Sequence, residues 1–183
     1  MRSKPSFPVA RAREHLETGP IVLLTSAHCG DRDVQTLGWH MVMEFEPSLW
    51  GCYIWTENHT RRLVEKSRQC VVNIPTLDLI DTVVGIGNCS GRDEDKFERF
   101  GLSTRKASKV GAPLIDECYA SFECKLHDSR MVRKYSLFIW EIVGAHVAKR
   151  PANPKTIHYR GQGQFRVAER TVSRRRLFKP EML

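Results

Sequence analysis

Apolar positions along this chain recur mostly at a spacing of two, with shorter stretches at helical spacing between them. Ile21-Val22-Leu23-Leu24-Thr25-Ser26 is a β-branched, apolar run that predicts a buried strand. Gly30-Asp31-Arg32-Asp33 marks a turn. After it Leu37, Trp39, Met41, Met43 and Phe45 alternate with Gly38, His40, Val42 and Glu44. That period predicts one strand with a single apolar face, paired with the first across the turn. Pro47 ends it, and Leu49 to Trp55 supplies a third strand. Cys70 to Ile74, the alternation Ala120, Phe122, Cys124, Leu126, and the long apolar run Leu137 to Val147 predict three more, the last of them central. Ile157-His158-Tyr159 and Gln164-Phe165-Arg166-Val167 are short extended segments near the end.

Helical spacing is confined to insertions. One helix is predicted from about Thr60 to Ser67. A second runs from Thr76, a candidate cap, to Ile86, with Leu77, Ile80, Val83 and Val84 on one face. A third covers Asp93 to Phe100, with acidic residues in its first turn and Gly101 just past its end. A turn or more is expected around Arg11 to Glu17. Regular βαβ alternation is absent, so a mainly β fold with inserted helices, a barrel, fits better than a doubly wound sheet. Residues 1–183 read as a single domain, with 1–19 as an N-terminal arm and 171–183 as a basic C-terminal tail.

Composition narrows the function classes. At 183 residues and 41% hydrophobic, the chain can bury one ordinary core. No 20-residue apolar span predicts a transmembrane helix, and no apolar stretch follows the basic N-terminus as a secretory signal requires. Six scattered cysteines without C-x-x-C pairs suit reduced, buried thiols in a cytoplasmic protein. The sequon matches at Asn58 and Asn88 are then incidental. A net charge of +8 favours anionic partners, but apart from Arg174-Arg175-Arg176 and Arg130 to Lys134 it is spread out. No RNP or zinc-finger pattern accompanies it, so nucleic acid is an unfavoured partner.

Candidate chemistry is sparse. There is no H-E-x-x-H and no repeated Cys/His spacing for a metal, and no G-x-S-x-G elbow for a nucleophile. No side chain is nominated as catalytic. Two polar segments remain. In the first, Tyr53-Ile54-Trp55 passes through Thr56-Glu57-Asn58-His59 into the helix at Thr60, with Asn58 and Thr60 as possible caps and Arg61 and Arg62 following. Free N–H groups and the helix dipole make such a start an anion site, although alone it is also an ordinary helix cap. The second, Asn88 to Phe97, carries Ser90, Arg92 and Lys96, which can meet the same phosphate.

The ordered set T-S…T-x-G-W, C-V-V-N-I-P, G-N-C-S-G-R-D-E-D-K-F-x-x-x-G-L and A-P-L-I-x-E-C-x-A-x-F-E-C resembles the flavin reductase-like family of FMN-binding split barrels, from about Pro20 to Arg170. The resemblance implies a six-stranded Greek-key split β-barrel, a homodimer, and FMN held near the subunit interface. By position, Thr36, Leu37, Gly38 and Trp39 would run beside the ring. Trp55, Asn58, His59 and Thr60 would line the ribityl-phosphate side, with Ser90, Gly91, Arg92 and Lys96 closing over the phosphate. It further implies an oxidoreductase passing electrons from NADH or NADPH through FMN to a flavin, a metal or a partner protein, with Arg133 and Lys134 drawing in the dinucleotide. Two positions depart from the family pattern. Asp33 stands where an Asn is common, and Tyr135 stands where nicotinamide-using members often carry His. A flavoredoxin-like electron carrier without its own nicotinamide site therefore stays open.

Overall fold

A computed structural model of the chain describes residues 4–15, 19–177 and 179. In order, its strands and α-helices are β1 (Val22–His28), β2 (Asp31–Leu37), β3 (His40–Glu44), β4 (Leu49–Tyr53), α1 (His59–Ser67), β5 (Gln69–Ile74), α2 (Ile80–Gly87) and α3 (Lys96–Arg99). There follow β6 (Thr104–Arg105), β7 (Leu114–Ile115), β8 (Ala120–Asp128), α4 (Val132–Tyr135), β9 (Leu137–Val147), β10 (Ile157–Gly161) and β11 (Gln164–Val167). The arm contributes a 3₁₀ segment, Val9–His15; the expected helix end at Glu17 lies outside the described residues, as do the last residues of the basic tail.

The principal sheet has seven strands, not six, in the order β2-β1-β5-β8-β9-β4-β3, with antiparallel pairing throughout. Its two edge strands, β2 and β3, are separated in the chain by Gly38 and Trp39 alone. The sheet must therefore coil until its edges meet at that link, a split barrel closed by the covalent chain instead of by a hydrogen-bond ladder. The shorter β6–β7 and β10–β11 pairs lie outside it.

This arrangement corrects one sequence expectation. Leu37 to Phe45 is not one strand beside β1: β2 pairs with β1, and β3 pairs with β4. Alternation continues through a change of sheet edge because Gly38 lets the chain pass Ile21, whose Cδ1 lies 2.8 Å from where a Cβ would sit. The alternating residues end up outside, with Trp39 74%, Met41 53% and Met43 41% exposed. β1 buries both faces. Val22 and Leu24 join the barrel core with Trp50, Phe122 and Trp140, whereas Ile21 and Leu23 meet Val83, Ile86 and Phe97 from α2 and α3. Such two-sided burial is why β1 reads as a continuous apolar run. The thiols of Cys52, Cys70 and Cys124 sit in the barrel core, where burial pushes those of Cys52 and Cys70 up. Thr76 occupies a cap position without a side-chain cap bond. The third helix is shorter than expected, beginning at Lys96 because Asp95 caps it through the N–H groups of Phe97 and Glu98.

Ser108 and Lys109, in the loop between β6 and β7, are tied down by one buried carboxylate. Glu123 accepts from the Ser108 Oγ at 2.8 Å and the Ser108 N–H at 3.2 Å, from the Lys109 N–H, and pairs with His146 Nε2 at 2.8 Å. Burial alone would raise its carboxyl; the His146, Lys109 and Ser108 donors outweigh burial and hold it below the usual range. A depressed folded-state value contributes stability above the unfolded carboxyl's range, and that contribution is lost as pH falls through the folded value. Glu123→Gln should lose about 2 kcal/mol at neutral pH. In urea titrations the gap from wild type should narrow on acidification; a gap constant with pH would contradict the assignment.

Candidate functional site

A cleft of about 670 Å³ opens where β2 runs toward Gly38. Thr36, Leu37, Gly38 and Trp39 form one side, with Tyr53, Trp55 and Asn58 beside them. Val83 and Val84 of α2, and Tyr159 and Phe165 of the β10–β11 hairpin, supply the apolar remainder. Gln35, Thr36, Asn58 and Gly87 also line a second, smaller pocket of about 140 Å³, whose other walls include Asp33, His59, Thr60, Ser90 and Lys96. The two are one elongated site: wide, aromatic and apolar at one end, narrow and polar at the other. Such a shape suits a planar apolar ring on a chain that ends in an anion.

The wide end is built from elements with other duties. Thr36 Oγ1 is already spent on the Val83 carbonyl at 2.6 Å, which ties β2 to α2. Leu37 is buried, and the Trp39 indole packs on Tyr53 with ring centroids 5.3 Å apart. Trp39 and Trp55 nonetheless present exposed faces. Gly161 and Gly163 take left-handed backbone, and their turn folds Tyr159 against Phe165 at 5.1 Å.

At the narrow end the start of α1 is uncapped by side chains, a correction to the sequence reading. Asn58 Nδ2 donates instead to Gln35 Oε1 at 2.8 Å, and Thr60 Oγ1 to Asp33 Oδ2 at 2.6 Å. The first N–H groups of α1 thus have no side-chain acceptor, the Arg61 N–H donating to the Asn58 carbonyl at 3.1 Å. Lys96 Nζ donates to the Val34 carbonyl at 2.8 Å and sits 3.2 Å from Asp33 Oδ1. Gly91 packs on the same carboxylate; a Cβ there would fall 2.3 Å from Asp33 Oδ1 and 3.1 Å from His59 Cδ2. Ser90 Oγ accepts from the Arg92 N–H at 3.2 Å. Three buried polar atoms on the pocket walls lack a hydrogen-bond partner among the described residues: Gln35 Nε2, His59 Nδ1 and Asp33 Oδ1, the last of which has the Lys96 ammonium as its ion-pair partner.

Thr36, Leu37, Gly38, Trp39, Trp55 and Asn58 therefore meet at the wide end, and His59, Thr60, Ser90 and Lys96 join Asn58 at the narrow one. Arg92 does not line either part; its guanidinium donates to the Glu57 carbonyl at 2.9 Å. Tyr135, Arg133 and Lys134 sit on α4, held beside Ile54 by Arg61, and line neither part. Sequence reasoning missed Gln35, Val83, Val84, Tyr159 and Phe165. The Tyr159/Phe165 pair was findable, since two extended segments flank a Gly-Gln-Gly turn. Gln35 carried no local signal.

Fold and site together define a β-barrel class with a wide aromatic cleft and a narrow polar pocket at a helix start. Within that class, the chain belongs to the flavin reductase like domain family, whose family model matches residues 15–166. It is 29% identical over 172 residues to the Escherichia coli K12 protein YddH, spanning 86% of this chain and 91% of that one. Its fold matches an FMN-binding domain of flavin reductases-like enzyme from Shewanella baltica, with TM-score 0.87, 24% identity and coverage of 94% and 97% of the two chains. It also matches flavoredoxin of Desulfovibrio vulgaris, with TM-score 0.77, 18% identity and coverage of 86% and 90%.

Gly91 offers a test of the narrow end. Gly91→Ala must displace a carboxylate already fixed by Thr60 and Lys96, so it should lose about 1–3 kcal/mol of unfolding free energy in urea titrations. An unchanged midpoint would mean the 88–95 loop does not pack on Asp33.

Proposed function

We propose that the protein binds FMN non-covalently in this cleft and acts as an oxidoreductase of the flavin reductase type. The observation that carries this reading is the pair of partnerless buried nitrogens, Gln35 Nε2 and His59 Nδ1, at the closed polar end of a cleft whose other end is aromatic. Buried polar groups without partners cost about 1–3 kcal/mol each; an anion supplies the acceptor that Gln35 Nε2 lacks, and the one that His59 Nδ1 lacks when the ring carries both protons. The residues present fit FMN: Gln35, Asn58, His59, Ser90 and the backbone of Thr60 would hold the phosphate end. Leu37, Gly38, Trp39 and Trp55 would hold the ring. Bound FMN would supply the hydride and electron chemistry. The chain's own side chains orient it and exclude water, so no general acid or base is required.

NADH or NADPH is the proposed donor, and a free flavin, a metal or a partner protein the acceptor. A second reading is supported by Tyr135, Arg133 and Lys134 lying outside the cleft: a flavoredoxin-like carrier that exchanges electrons with a protein. Anaerobic addition of each nicotinamide to the FMN-loaded protein separates the two. Bleaching of the yellow colour within seconds supports the reductase. Failure with both donors supports the carrier.

We further propose a homodimer. Trp39 lines the cleft and Met41 and Met43 follow it on β3, all three exposed, an apolar face that a second copy would cover. The reduced thiols of Cys52, Cys70 and Cys124 support a cytoplasmic site of action. Met41→Lys combined with Met43→Glu should shift sedimentation toward the monomer and weaken FMN binding by more than tenfold. A wild-type monomer holding FMN fully would contradict the dimer.

A further inference from the structure

The narrow pocket lies in a cation-rich part of the chain, yet nearly every cation around it is already committed. Lys96 is 5% exposed, donates to the Val34 carbonyl, and lies 3.2 Å from the Asp33 carboxylate. Arg62 pairs with Asp31 at 2.5 Å, and Arg32 with Asp95 at 2.7 Å. Arg92 is turned to the Glu57 carbonyl, and Arg61 to Glu65 and the Ile54 carbonyl. The Lys96–Asp33 pair presents almost no net charge to an incoming anion, and Asp33 Oδ1 itself repels one.

One group on the pocket wall can still supply charge. His59, 7% exposed, places Nε2 3.3 Å from Asp31. Its Nδ1 has no partner among the described residues. Facing the ring are Asp31 from β2, which also holds Arg62 from one turn further along α1, and the packed Gly91 backbone. Across the pocket stand Asp33, Lys96, Glu57 and Cys89. With Asp31 on one nitrogen and an anion on the other, both nitrogens must donate, and only the imidazolium does that.

We propose that in this chain a phosphate monoester is held by the protonated His59, because Asp33 has already neutralised Lys96, and that binding takes up a proton there. The ligand's name rests on the FMN reading above; the charge assignment goes beyond it. The phosphate and the imidazole titrate in opposite senses. A phosphate monoester gains its second charge near pH 6, which strengthens binding as pH rises. Loss of the His59 proton then weakens it at higher pH. Riboflavin shares the ring and lacks the phosphate, so it escapes both limbs.

Flavin-fluorescence quenching on the full-length protein, from pH 6 to 9, tests this with FMN and riboflavin in parallel. The FMN Kd should rise on the alkaline side with a slope approaching about tenfold per pH unit, the limit for one linked proton, while the riboflavin Kd stays level. His59→Gln should lose the alkaline slope and bind FMN at least tenfold more weakly at pH 6, with thermal melting confirming that it folds. Asp33→Asn returns the Lys96 charge to the pocket; it should tighten FMN binding about tenfold at pH 9 and flatten the profile. A level FMN profile in the wild type, or an alkaline slope that survives His59→Gln, overturns the assignment and leaves the FMN reading standing. A folded protein that takes up FMN at no pH overturns both.

Discussion

The carboxylate of Asp33, 2% exposed, joins segments of the chain that are far apart in sequence. Thr60 reaches it from α1, Lys96 from α3, and the Gly91 backbone packs directly on it. Removing one member of a buried ion pair costs about 3–5 kcal/mol because the other charge is left unpaired. The three segments are therefore held as one object, and the narrow pocket is a surface of that object. What the pocket offers a ligand follows from how Asp33 is satisfied: Lys96 and the Thr60 hydroxyl are turned toward it, and His59 Nδ1 and Gln35 Nε2 are left buried on the pocket wall without partners.

The wide end depends on a different constraint. A sheet whose edge strands are consecutive in the chain has to close on itself, and the closure falls at Gly38-Trp39. That link cannot carry a continuous ladder, so it bares backbone and an indole beside the cleft. β1 fixes its position from behind, packed on the barrel core through one face and on α2 and α3 through the other. One of the helices that cover β1, α2, also supplies Val83 and Val84 to the cleft. Packing and binding thus share elements: Thr36 spends its hydroxyl on α2 and keeps the wall of the site in register.

Much of the fold was legible in the chain. Leu137 to Val147 is a strand with the bounds its apolar run predicted, and α1 ends at Ser67 as expected. Legibility failed where tertiary context overrides period. Leu37 to Phe45 keeps one alternation across two strands, and nothing local marks the change of edge except Gly38. The four-residue α4 follows a turn and is too short to show periodicity. At the site, the residue types were legible and their pairings were not. Lys96 and Arg92 read as phosphate ligands because cations at a glycine-rich loop usually are. Their observed partners, Asp33 with the Val34 carbonyl and the Glu57 carbonyl, lie far away in sequence and follow from the barrel's closure. Asp33 stood out in the sequence as a departure from the family's Asn, but its buried partner Lys96 did not.

A crystal structure of the protein with FMN examines the central claim most directly. The phosphate should lie within hydrogen-bonding reach of His59 Nδ1 and of the free N–H groups at the start of α1, with Lys96 still on Asp33. A phosphate gripped by Lys96 and Arg92 with His59 turned away, or a flavin bound elsewhere on the barrel, would contradict it.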